Sequence, residues 1–99
     1  MILTTTNTIE GHQIIDYLGL VTGVGVNSKK VSFSFSMDKF YNSLEQSINE
    51  VKEDAFQKLQ QNAINLKANA VVGIHLDIET FPNTTAIIVS VTGTAVSVA

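Results

Sequence analysis

Apolar and polar residues follow three different rhythms along the chain. In the first third, Ile14, Ile15, Leu18, Leu20, Val21, Val24 and Val26 are interrupted by Gly19, Gly23 and Gly25. Such a β-favouring, glycine-punctuated run reads as a strand with bends or close backbone approaches. Ahead of it, Thr4–Thr8 reads as a short edge strand and Glu10-Gly11 as a turn. From Val31 to Ser36 apolar residues alternate with serine, which either prolongs the sheet or leads into the next element. In the middle third, Met37, Tyr41, Leu44, Ile48, Val51, Ala55, Leu59, Ala63 and Leu66 recur at spacings of three and four. That is one apolar stripe on a helix. Ser36 is placed to cap its start and Asp38 to meet its dipole. Asp54 and Lys58 pair one turn apart. Lys67 suits the C-terminal dipole, and Asn69 is placed to take the left-handed conformation beyond it. About thirty helical residues span ~45 Å, with a break near Gln46–Asn49 as the alternative.

The last third returns to a period of two. Val72, Ile74, Leu76 and Ile78 point one way, and His75, Asp77 and Glu79 the other. Phe81-Pro82-Asn83-Thr84 is turn chemistry, so the run after it pairs back as a hairpin. Ile87, Val89 and Val91 share a parity opposite to that of Val96 and Val98. A bulge or bend at Thr92-Gly93-Thr94 is the expected cause.

The predicted fold is α+β, in the order β-β-α-β-β. It has two layers, an antiparallel sheet with one long or broken helix across one face. Residues 1–99 form a single domain, with no linker or repeat. Ile87-Ile88-Val89 places bulk on both sides of the sheet, and Ala86, Ile88 and Val21 or Leu20 are assigned to the side away from the helix. Charged residues make up 15 % of the chain, against about 25 % in ordinary soluble domains. Identical copies are expected to cover that second face in a closed assembly, at roughly 25 cal/mol per Å² buried.

Charge and composition narrow the partners. Six lysines, no arginine and nine acids give a net charge of −3. Nucleic acid and anionic membranes are therefore not expected partners. The absence of cysteine removes disulfides, thiolate metal sites and thiol catalysis. Asn83-Thr84-Thr85 fits a glycosylation sequon but reads as a turn. The opening residues lack the character of a secretion signal, and no run reaches the ~18 apolar residues of a membrane span. A cytoplasmic location is expected.

The candidate chemistry is sparse. His75, Asp77 and Glu79 line one strand face about 6.8 Å apart, and all three residue types ligate metals. One straight strand cannot converge all three, whereas the same residues repeated around a ring form a circle of ligands. The plain alternative is the solvated side of a half-buried strand. Glu10, His12 and Asp16 form a second polar group, most simply a wet loop. Thr4, Thr5, Thr6 and Asn7 suit turn capping or binding at a subunit boundary. The Gly19, Gly23, Gly25 spacing precedes no prompt helix, so strand bends or packing explain it better than a phosphate cradle. No nucleophile has a base beside it in a recognisable motif, so an enzyme is not expected.

Three stretches, Thr4-Thr5-Thr6-Asn7-Thr8-Ile9-Glu10-Gly11 with Tyr17-Leu18-Gly19, then Ala68-Asn69-Ala70-Val71-Val72-Gly73, then Gly93-Thr94-Ala95-Val96, resemble the YbjQ-like family nearly end to end. That family carries the label "putative heavy-metal-binding domain". The resemblance implies a dodecin-like subunit in a ring, typically a pentamer, whose strands build a central barrel. Two departures stand out. The family's glycine-rich, Arg-Ser-containing linker has no counterpart between Phe40 and Glu53, and His75 replaces the first acid of the family's acidic strand. The expected function is a non-enzymatic homo-oligomer with a divalent metal ion or small ligand at subunit interfaces or in the channel. His75, Asp77 and Glu79 are the metal candidates; Thr5, Thr6, Asn7, Glu10 and His12 are the interface or ligand candidates. The alternative is a scaffold that displays helices to a protein partner through Lys39, Glu45, Lys52, Glu53 and Gln57.

Overall fold

A computed structural model describes residues 1–27, 37–81 and 86–99, and for residues 37–44 the backbone alone. Five elements follow one another, β1 (Ile2–Leu3), β2 (Ile14–Val26), α1 (Met37–Asn65), β3 (Ala70–Thr80) and β4 (Ile87–Val98). The predicted α+β class and element order hold. The alternating run from Val31, the Ser36 cap, the Asp38 side chain and the turn at 82–85 lie outside the described residues.

The helix is continuous through Gln46–Asn49. Val51, Ala55, Leu59 and Ala63, spaced four apart on one face, are buried, and Ile48 and Phe56 pack beside them. Their sheet partners are Val21, Val71, Ile74, Ile87, Val89, Val91 and Ala95. The helix lies chiefly over β2 and β4 and barely reaches β3. Small residues let it sit low. A β-carbon at Gly23 would run into the Ala55 carbonyl oxygen and stand 2.6 Å from the Leu59 nitrogen. At Gly25 it would strike the Val51 carbonyl oxygen. The glycines of β2 are therefore where strand and helix backbones touch.

The helix closes two residues earlier than the sequence suggests. Lys67, not Asn69, takes the left-handed conformation, with φ 65°. The Ala68 N–H donates to the Ala63 carbonyl (3.0 Å) and the Lys67 N–H to the Ile64 carbonyl (2.8 Å), a Schellman closure. Asn69 is occupied elsewhere. Its side-chain amide donates to the Val98 carbonyl (2.9 Å) and accepts from the Val98 N–H (2.8 Å).

The sheet is mixed, not antiparallel. Its order is β1-β3-β4-β2, and β1 runs parallel to β3 while the other pairs are antiparallel. Because β4 stands between β3 and β2, the far edge of β3 is open, and the first residues fill it. The Ile2 N–H donates to Asn69 (3.3 Å) and the Thr4 N–H to Val71 (3.0 Å). The edge strand is thus Ile2–Leu3 and not Thr4–Thr8, whose hydroxyls bond within their own loop.

The expected irregularity of the hairpin is real but lies on the other strand. β4 pairs with β2 without interruption through Thr92-Gly93-Thr94, whereas β3 shifts register between Val72 and His75. Gly73, at φ 61°, supplies the extra residue. The shift turns Val72 away from the helix and keeps Val71 and Ile74 toward it. Both then cover Gly93, where a β-carbon would lie 2.6 Å from Val71 Cγ1 and 3.1 Å from Ile74 Cγ1. Val96 and Val98 differ in parity from Ile87 only because they are buried on the opposite face. There, with Ala70 and Val72, they form a second cluster covered by Ile9 and Ile14.

Candidate functional site

The face of the sheet away from the helix carries the sequence-predicted metal candidates. Residues paired across strands share a face, so the register sets out three rows. Thr22, Thr92 and His75 form one, Val24, Ser90 and Asp77 the next, and Val26, Ile88 and Glu79 the last. His75 Nε2 lies 3.3 Å from Asp77 Oδ1, and the two side chains are 72 % and 64 % exposed. Glu79 follows on the same side and is exposed. The three residues thus share a surface as expected. Among the described residues, however, no group of three or more histidines, cysteines and acids is close enough to hold a metal ion. The donors of one copy do not fit a heavy metal, since the chain has no cysteine thiolate and a single imidazole–carboxylate pair leaves most coordination positions open. The hydroxyls of Thr22, Ser90 and Thr92, which sequence patterning did not single out, border the pair. Only the strand register, absent from a sequence, could have found them.

The same rows change the picture of the second face. Leu20 and Ile88 lie on it as assigned, but Val21 faces the helix. Its centre is built of threonine, serine, histidine and aspartate, and one end is closed by the chain's own Ile9 and Ile14. What stays bare runs along β2, with Leu20 84 %, Tyr17 73 % and Ile15 60 % exposed. Val24 and Val26 extend the strip.

The threonine loop is a clasp on the β3 bulge. The Gly73 N–H donates to the Thr6 carbonyl (2.8 Å) and the Ile74 N–H to the Thr4 carbonyl (3.1 Å). The Thr6 hydroxyl donates to the Thr8 carbonyl (2.6 Å) and contacts the Thr4 hydroxyl (2.8 Å), whose oxygen accepts from the Thr6 N–H (3.1 Å). Asn7 Oδ1 lies against Gly73. Thr5, Glu10 and His12 are exposed. His12 adjoins Gln13, which pairs with Ala99 just past the end of β4, whereas His75 faces Thr92 within β4. Seven residues of strand separate those levels, roughly 24 Å. The structure does not bring the two histidines together.

An α+β fold with one helix on a four-stranded mixed sheet among the described residues, bearing an open polar face, is the class these features define. The chain belongs to the family whose model is described as "Putative heavy-metal-binding", which matches residues 1–99. It is 40 % identical over 102 residues to a UPF0145 protein of Anoxybacillus flavithermus, covering 97 % of this chain and 96 % of that one. Its fold also matches the crystal structure of a protein of unknown function from Pediococcus pentosaceus in the DUF74 family. There the TM-score is 0.65 at 24 % identity, over 100 % of this chain and 98 % of the other. None of these descriptions names an enzymatic activity. No helix among the described residues is long and apolar enough to cross a membrane.

Proposed function

We propose that this chain is a non-enzymatic, cytoplasmic subunit of a homo-oligomeric ring with dodecin-like architecture, a pentamer being the favoured size. The observation that carries the reading is the bare strip on β2, since Leu20 and Tyr17 expose most of their apolar surface along one sheet edge. Contiguous apolar surface of this kind marks interaction sites in soluble proteins. The outward side of the helix supports assembly over display to a foreign partner, because Glu45, Glu53 and Gln57 are exposed there and polar.

In that ring His75 and Asp77 of each copy recur with the rotational symmetry, and Glu79 with them. A borderline or hard divalent cation, taking nitrogen and oxygen donors from more than one subunit, is the ligand their chemistry suits. Light scattering across micromolar concentrations tests the assembly, with a monodisperse mass several times that of one chain expected; a monomer would defeat it. Calorimetric titration with zinc, nickel and magnesium tests the ligand. Saturable heat that disappears in His75→Ala and Asp77→Ala is expected, and its absence in the wild type rules out the metal site while leaving the ring standing.

A further inference from the structure

β2 is an outer strand of the sheet over thirteen residues. Long, regular, apolar edges recruit strands from other molecules, and proteins blunt them with lysine, proline or bulges. β2 contains no proline or lysine, and its single charge is Asp16. Two register shifts, between Ile14 and Asp16 and between Tyr17 and Gly19, disturb its first half. From Leu20 to Val26 the ladder is regular. This half has neither bulge nor charge of its own.

Its protection comes from the helix. The Asn27 N–H donates to the Ile87 carbonyl (3.0 Å), which sets the hydrogen-bonded pairs of the ladder at odd positions of β2. Thr22 and Val24 therefore turn their main-chain groups outward. Asn62 Nδ2 donates to the Thr22 carbonyl (2.8 Å) and Lys58 Nζ to the Val24 carbonyl (3.0 Å). Asp54 holds the Lys58 ammonium in place at 3.0 Å. The spacings match: four residues of helix advance ~6 Å and two of strand ~6.8 Å. Successive helix turns thus meet successive outward carbonyls.

We propose that Lys58 and Asn62 are edge guards, standing where the N–H groups of an added strand would bond and shutting this half of β2 to a strand of a second copy. Copies that meet along this half of β2 then do so through side chains and not by extending the sheet there. The proposal holds for a monomer as for a ring.

The test compares the full chain with Lys58→Ala/Asn62→Ala, with Lys58→Arg, which keeps a donor, and with Glu53→Ala/Gln57→Ala, which changes exposed helix residues away from the edge. Light scattering, thioflavin fluorescence and residue-resolved amide exchange are followed together. The guard-free variant is expected to grow beyond the wild-type mass at least tenfold faster. Its Thr22 and Val24 amides, fast-exchanging in the wild type, should slow at least tenfold as they find a new acceptor. The other two variants should match the wild type. An unchanged guard-free variant would overturn the proposal, as would growth without slowing at those two amides, which signals general unfolding. Slow exchange of both amides in the wild type would overturn it too.

Discussion

Two single residues carry unusual constraint. At Gly23 the helix backbone occupies the space a methyl group needs, with Ala55 and Leu59 as the obstruction. Gly23→Ala must lift the helix from the sheet, so a loss of at least about 3 kcal/mol is expected in urea unfolding, beyond ordinary overpacking. Lys67 has the opposite character, as a side-chain-bearing residue in left-handed geometry. That conformation costs about 1–2 kcal/mol for an L-residue, and glycine recovers it less its own unfolded-state entropy. Lys67→Gly should therefore raise stability by about 0.5–1 kcal/mol, read as a higher denaturation midpoint at equal slope. The sequence marks Gly23 and Gly25 as places of bending or packing but not as helix contacts, because what touches them lies about thirty residues away. It favoured Asn69 for the cap on residue preference, whereas the Val98 hydrogen bonds hold Asn69 in the sheet.

Among the elements, the long amphipathic helix and the strand–helix–hairpin order were readable from periodicity, since Val51, Ala55, Leu59 and Ala63 repeat without interruption. The valine parities were misleading as a sign of a bulge in β4, since they reflect burial on two faces, and the bulge at Gly73 of β3 left no such mark. Val96 and Val98 are buried by Ile9 and Ile14, a contact across more than eighty residues that no local pattern reveals. The parallel β1–β3 pair was illegible for the same reason, a two-residue strand having too little pattern to show. The joint between β3 and β4 rests on Asn69, whose amide mimics a strand peptide against Val98. Asn69→Ala removes both bonds and leaves the Val98 groups to water, so a loss of about 1–2 kcal/mol is expected by thermal or urea unfolding. Amide exchange at Val98 should rise with it.

For the whole molecule, the sequence conveyed a surplus of apolar surface but not its distribution. The polar centre of the far face comes from Thr22, Ser90, Thr92, His75 and Asp77 meeting in register, which only strand pairing discloses. The surplus sits at the β2 edge instead. Leu20→Lys should leave the monomer's stability nearly unchanged, since Leu20 is 84 % exposed and surface changes fall within about 0.5 kcal/mol. For the ring proposed above it should nonetheless lower the mass seen by light scattering, because the added charge would then face a neighbouring copy. Equal mass and stability in the variant would place the subunit contact elsewhere.

The position of β4 in the sheet bears on how the chain comes to fold. The last of these four strands lies between β3 and β2, and it pairs with both along most of its length. Until it has emerged from the ribosome, β2 has no strand partner and the helix has only part of its floor. A translating chain therefore holds the apolar strand β2 in waiting until β4 has followed it. Structure dominated by such distant pairings forms in milliseconds to seconds, more slowly than helical bundles of equal size.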